Sequence, residues 1–171
     1  VRDLIRFLDN VLQYFVDNAP DTLERAKYSA SQERSLGLGA MGYHSYLQKH
    51  RVPFEKSDDI NTEIFEHINH EAVQETLTLG KERGQAPDMK GTGRRNAHLL
   101  AIAPNANSSM IVSTSPSIEP FRANAYTQKT KTGSNLVKNK FLDRLLMQKI
   151  GHLPTYEETW KSIVANKGSV Q

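Results

Sequence analysis

Pro104-Asn105-Ala106-Asn107-Ser108-Ser109 holds the residues of this chain best suited to chemistry on a ligand. An apolar run, Leu99 to Ala103, stops at the proline, and small or amide residues follow before a short apolar piece. A strand that passes through such residues into a short helix has the layout of an anion site. The first N–H groups of a helix have no intrahelical acceptor and carry partial positive charge. Small side chains let phosphate oxygens come close, and Asn and Ser add donors. Ligands of parallel sheets also gather at the carboxyl ends of strands. On the residues alone, the choice is between phosphate binding and a plain capped turn.

Other candidates carry less. Gly37-Leu38-Gly39-Ala40-Met41-Gly42 matches G-x-G-x-x-G. The dinucleotide version needs a strand before it and an acid at the end of a second strand. Thr22 to Ser35 reads instead as polar and helical, so the glycines are expected to let two backbones pack closely. Glu66-His67-Ile68-Asn69-His70-Glu71 places two histidines three apart but is not H-E-x-x-H, and a solvated helix face is expected. His44, His50, His98 and His152 are scattered, and spacing alone supports no Ser/His/Asp arrangement. Cysteine is absent, which removes disulfides, thiolate metal sites and a thiol nucleophile.

The positioning elements follow from periodicity. Val1, Leu4, Ile5, Leu8, Val11, Leu12, Phe15 and Val16 form a helical stripe, broken at Asn18-Ala19-Pro20-Asp21. Residues 21–50 read as mainly helical around the glycine cluster. Ser57-Asp58-Asp59 opens a long helix to about Arg83, with acids suited to its dipole, and Gly84 closes it. His98 to Ala103 is expected to be a short strand buried on both faces, with no obvious neighbour. Residues 108–114 suit a short helix, and Lys131-Thr132-Gly133-Ser134 a hairpin turn within 122–137. Helices return at about 139–150 and 155–166. Thr155-x-x-Glu158 reads as a capping box for the second, and Gly168 as its stop.

Hydrophobic residues are 37% and charged residues 24%, the balance of a globular domain with a real core. No apolar run approaches the roughly 18 residues of a membrane span, and no signal peptide is visible. Charge is divided: residues 1–88 hold 10 basic and 15 acidic side chains, residues 89–171 hold 12 and 4. Arg122 to Lys149 carries seven cations and one acid, Asp143, which suggests an anionic partner or a solvated surface. A helix already running at Val1 and a new element starting at Ser169-Val170-Gln171 lead to the expectation of a segment of a longer or split polypeptide.

The stretches "RSLGLGAMGYHSYL", "APNANSSMIVSTSPSIEPF", "NKFLDRLL" and "ETWKSIVANKGSVQ" together resemble the large, catalytic (alpha) subunit of class I ribonucleotide reductase, in its phage-type form. The resemblance spans essentially the whole chain. It implies an α/β fold class: a mainly helical segment of a ten-stranded α/β barrel, incomplete as a barrel on its own. Residues 1–171 would be a partial catalytic barrel domain. Its parts would be a helical layer at 1–84, the strand, phosphate loop and short helix at 97–120, and a basic hairpin with C-terminal helices at 121–168. The implied activity is reduction of ribonucleoside diphosphates to deoxyribonucleotides by a protein radical. In the family, the loop matching Pro104, Asn105, Ala106, Asn107, Ser108 and Ser109 lies under the substrate diphosphate. Some relatives carry an acid or threonines where this chain has Ala106 and Asn107, so the expectation rests on backbone N–H groups. By the same resemblance the glycine cluster is a packing feature.

The family's chemistry needs a thiyl-forming cysteine, two reducing cysteines, an Asn, a Glu and a tyrosine pair. These are expected on flanking polypeptide, so no catalytic or metal-binding residue is assigned here and no cofactor is expected on this chain. The complete enzyme would require the remainder of the alpha subunit, a small radical-generating metal (beta) subunit and a thiol reductant, in the cytoplasm or a phage host's cytoplasm. The alternative reading is a non-catalytic nucleic-acid or protein-binding module that uses the basic C-terminal half.

Overall fold

The computed structural model describes residues 1–130 and 133–170. The chain divides into two compact units. One comprises Val1–Ala40 and Glu55–Pro104; the other comprises Met41–Phe54 and Asn105–Gln171.

The first unit is helical. Its elements are α1 (Arg2–Asn18), α2 (Glu24–Glu33) and the 26-residue α4 (Asp58–Arg83); α3 (Tyr43–His50) lies in the second unit. α1 packs on α4 through Ile5, which lies against Ala72, Leu79 and Leu99 in a buried cluster, whereas Val1, Leu4 and Val11 of the apolar stripe are exposed. Arg2 and Arg6 rim this contact by pairing with Glu71, Glu75 and Glu82 of α4.

Asp9 sits on the same face of α1 and is fully buried. Arg34 donates two bonds to its Oδ1, the shorter at 2.9 Å, and Asn96 Nδ2 adds a third at 3.1 Å. Arg95 Nε reaches Oδ2 at 2.9 Å and Arg83 Nη1 reaches it at 2.8 Å. Burial pushes the carboxyl up, but the hydrogen bonds from Arg34, Arg95 and Asn96, with the charge of Arg34, outweigh it and hold the group at about 2. Arg34 itself takes a left-handed conformation, φ 50°, as the residue that ends α2. Nothing in the spacing of the sequence singles out Asp9.

The expected strand at His98–Ala103 is corrected in three respects, the first being that the run forms one isolated bridge rather than a strand. It has a neighbour, and it is not buried on both faces. Leu36 and Leu38 donate to the carbonyls of His98 and Leu99, and Ala101 donates back to Leu38, around one parallel bridge, Leu38↔Leu100. Leu99 is buried, whereas Ala101, Ile102 and Ala103 are exposed. Pairing with a single glycine-bearing segment leaves most of the run unsandwiched. The glycines do what close packing requires. A Cβ on Gly39 would lie 2.3 Å from the Ala101 carbonyl oxygen, and one on Gly80, inside α4, 2.0 Å from that of Gly93.

The second unit contains α3, α5 (Ala106–Ile111), the antiparallel pair β1 (Ala125–Thr130) and β2 (Gly133–Lys138), α6 (Lys140–Ile150) and α7 (Thr155–Ala165). Of the expected turn, Gly133 and Ser134 open β2, while Lys131 and Thr132 lie outside the described residues. Ala125, Trp160 and Ile163 form the core, with Leu142, Leu146 and Tyr156 around it. Asn139 caps α6 by accepting the N–H of Phe141.

The capping box at Thr155 is also corrected. Pro154 occupies the cap, so Thr155 is already inside α7, where its carbonyl accepts from the Thr159 hydroxyl. At the other end Lys167 is left-handed, φ 55°, and donates to Val164 while Gly168 donates to Ile163. Glycine is required at 168 because a Cβ there would meet Ala123 at 2.4 Å.

Asp9→Ala strands two buried guanidinium groups and is expected to cost about 3–5 kcal/mol in urea unfolding. Arg2→Ala, on the exposed rim, should change little. The stabilisation from ionised Asp9 is complete above the ordinary value of 3.8 and is lost as pH falls through about 2. Acid unfolding of wild type should therefore show a component there that Asp9→Asn lacks.

Candidate functional site

The segment from Pro104 to Ser109 includes the first residues of α5, which begins at Ala106. Pro104 is exposed and ends its stretch of the first unit; Asn105 opens the corresponding stretch of the second. Asn105 is the residue before α5, with φ −105° and ψ 51°, and its carbonyl accepts the N–H of Ser109 at 2.9 Å. The short helix expected at 108–114 instead runs from Ala106 to Ile111, so Ala106, Asn107 and Ser108 fill its first turn, where their N–H groups have no acceptor within the helix, and all three are exposed. Ser109 differs from the other five residues. It is buried, and its hydroxyl donates to the Ala106 carbonyl at 2.9 Å, which tightens the turn from inside. Asn107 and Ser108 thus present small polar side chains to solvent beside a row of N–H groups.

The residues after α5 hold it in place. Thr114 N–H donates to the Ser109 carbonyl at 2.8 Å. Ser45 and Ser115 exchange bonds: each backbone N–H donates to the other's hydroxyl oxygen, at 3.1 and 2.7 Å. Gly42, at φ 88°, donates to the carbonyls of Ser115 and Ser117, and a Cβ there would fall 2.5 Å from the Thr114 hydroxyl oxygen. The third glycine of G-x-G-x-x-G therefore seats the chain that follows α5 against the start of α3. The sequence places that glycine but not its contact, because Thr114 is remote in the chain.

The remaining candidates separate. His67 and His70 are exposed on α4, as a solvated face requires. Among the described residues no group of three or more His, Cys, Asp or Glu side chains is disposed to hold a metal ion. One cluster escaped the sequence: Ser35 Oγ lies 3.0 Å from both Glu33 Oε2 and His98 Nδ1. Here the serine stands between acid and histidine, whereas serine activation needs the histidine in the middle. The cluster instead ties the end of α2 to the run at His98. Of the cations in the basic half, Lys138 lies 4.7 Å above the Trp160 ring and Lys140 donates to the Ser113 carbonyl.

Ser45→Ala removes the acceptor of the Ser115 N–H in a fully buried residue and is expected to cost about 1–3 kcal/mol in urea unfolding. A double-mutant cycle with Ser115→Ala should show that the two losses are not additive.

Comparison with known proteins bears on the whole chain. The family model described as ribonucleotide reductase, barrel domain, matches residues 1–92 and 86–171. The ribonucleoside-diphosphate reductase large subunit of Invertebrate iridescent virus 3 is 52% identical over 172 residues, which cover 99% of this chain and 27% of that protein. The vitamin B12-dependent ribonucleoside-diphosphate reductase of Thermoplasma acidophilum is 29% identical over 175 residues, covering 97% of this chain and 22% of that protein. Among solved structures, the class Id ribonucleotide reductase alpha subunit of Actinobacillus ureae superposes with a TM-score of 0.83 at 39% identity, covering 99% of this chain and 31% of that one. This chain thus spans about a third or less of the length of these relatives.

Proposed function

Since this chain belongs to the ribonucleotide reductase barrel-domain family, we propose that it acts as part of a ribonucleotide reductase large subunit, an oxidoreductase that converts ribonucleoside diphosphates to deoxyribonucleotides for DNA synthesis. The match of the family model along the chain carries this reading. Residues 1–171 are then one portion of the catalytic barrel. The chain contains no cysteine, so thiol chemistry falls to the remainder of the subunit, and the chain alone is inactive. A small radical-generating beta subunit and a thiol reductant complete the system, in the cytoplasm.

Its contribution is the cradle for the substrate diphosphate. The first-turn N–H groups of Ala106, Asn107 and Ser108 donate to phosphate oxygens, with Pro104 and Asn105 setting the entry to the turn. Ser109 acts from within, by holding that turn closed. The exposure of the loop and its small side chains support this role. The alternative, a nucleic-acid or protein-binding module, gains little from the arrangement of cations, since Lys138 and Lys140 are engaged within the chain.

Mixing this chain with polypeptide covering the remaining length of its relatives, plus the small subunit, should restore ribonucleotide reduction that neither part shows alone. Ser108→Glu, which sets a carboxylate at the cradle, should raise the KM for the diphosphate about tenfold or more while leaving the helical circular dichroism unchanged. A reconstituted enzyme with no activity, or one indifferent to Ser108→Glu, contradicts the respective part of the proposal.

A further inference from the structure

The second unit contains a cleft of about 670 Å³ that shares no lining residue with the Pro104–Ser109 loop. α3 and the segment after it form one side, and α6 forms the other. Its size lies within the roughly 300–1,000 Å³ typical of small-molecule sites. Two kinds of residue meet there. Phe54, His44 and Phe121 make a continuous edge-to-face series, with ring centroids 6.1 and 5.5 Å apart, and Phe141 adds a further ring to the lining. Lys49, Arg51 and Arg144 line the same cleft, all three exposed, and among the described residues none of them is in an ion pair. None of the described lining residues is acidic.

His44 connects the two. Its Nδ1 accepts the backbone N–H of Phe121 at 3.1 Å, so the ring hydrogen of the neutral imidazole resides on Nε2. Burial lowers the pKa of His44, so it contributes a donor without adding a charge at neutral pH. The positive charge comes from the lysine and the two arginines. Guanidinium groups match phosphate oxygens through paired, charge-assisted hydrogen bonds, which a neutral ligand cannot return. Aromatic walls favour a flat ring between or against them.

We propose that this cleft is a binding site for a planar aromatic or heteroaromatic molecule carrying a phosphate, its ring against Phe54, Phe121 and Phe141 and its phosphate between Arg51 and Arg144. The site shares no lining residue with the diphosphate cradle.

The test titrates the full chain with 1-naphthyl phosphate, followed by fluorescence anisotropy. Saturable binding with a Kd below about 1 mM is expected. The double variant Arg51→Gln/Arg144→Gln should weaken it about tenfold or more, through loss of two charge-assisted contacts. Ser108→Glu should leave it unchanged, and neither 1-naphthol nor competing inorganic phosphate should match it. Circular dichroism of the variants should match wild type, as expected for exposed side chains. Absence of saturable binding overturns the proposal. So does equal affinity for 1-naphthol, or binding that is lost in Ser108→Glu and retained in the double arginine variant. The last result would assign the phosphate to the cradle, so failure of this site is distinguishable from failure of that one.

Discussion

Asp9 is shut away from water, and both of its oxygens are occupied by donors from Arg34, Arg83, Arg95 and Asn96. A buried carboxylate is tolerated only when its hydrogen bonds are nearly complete, so this one constrains the geometry of four separate chain segments. Arg34 ends α2 in a left-handed conformation, Arg83 ends α4, and Arg95 and Asn96 lead into the run that pairs with Leu38. Asn96 is bound in turn by Thr76 of α4, and Arg95 Nη1 donates to the carbonyls of Arg83 and Gly84. Gly80 completes the arrangement, because any side chain there would strike the Gly93 carbonyl and hold the arginine-bearing segment away from α4.

Much of the local structure was legible before the fold. The stripe of α1, the acidic first turn and Gly84 stop of α4, and the helices α6 and α7 follow from periodicity and end signals that act within a few residues. The expected fold class, a mainly helical segment of an α/β barrel of the ribonucleotide reductase type, is borne out by the family match and the structural superposition. What stayed hidden depends on partners far apart in the chain. Asp9 looks like any acid on an amphipathic helix until residues 34, 83, 95 and 96 converge on it. The run at His98 looked isolated because its neighbour, Leu36–Leu38, is glycine-flanked and too short to read as a strand. The cap of α7 moved by one residue for a local reason: Pro154 takes the boundary ahead of Thr155.

The candidate cradle was legible in part, for a different reason. The chemistry proposed for it uses backbone N–H groups, and small residues after a chain-stopping proline announce such a turn without any reactive side chain. Which of the six residues face outward was not legible. Ser109 and Ser108 are neighbours of the same type, yet one is buried and bonded to Ala106 while the other is exposed. Helical geometry decides this, since a residue in the first turn points away from the core that its neighbour enters. The proposed role fits the composition, since contacts from backbone N–H groups need no cysteine.

Hydrogen exchange at the Ala106, Asn107 and Ser108 amides in the reconstituted large subunit tests this most directly. A ribonucleoside diphosphate is expected to slow exchange at these three positions, and the corresponding nucleoside, lacking phosphate, is not. Equal exchange with and without the diphosphate, in an enzyme that turns it over, would contradict the assignment of the cradle to this loop.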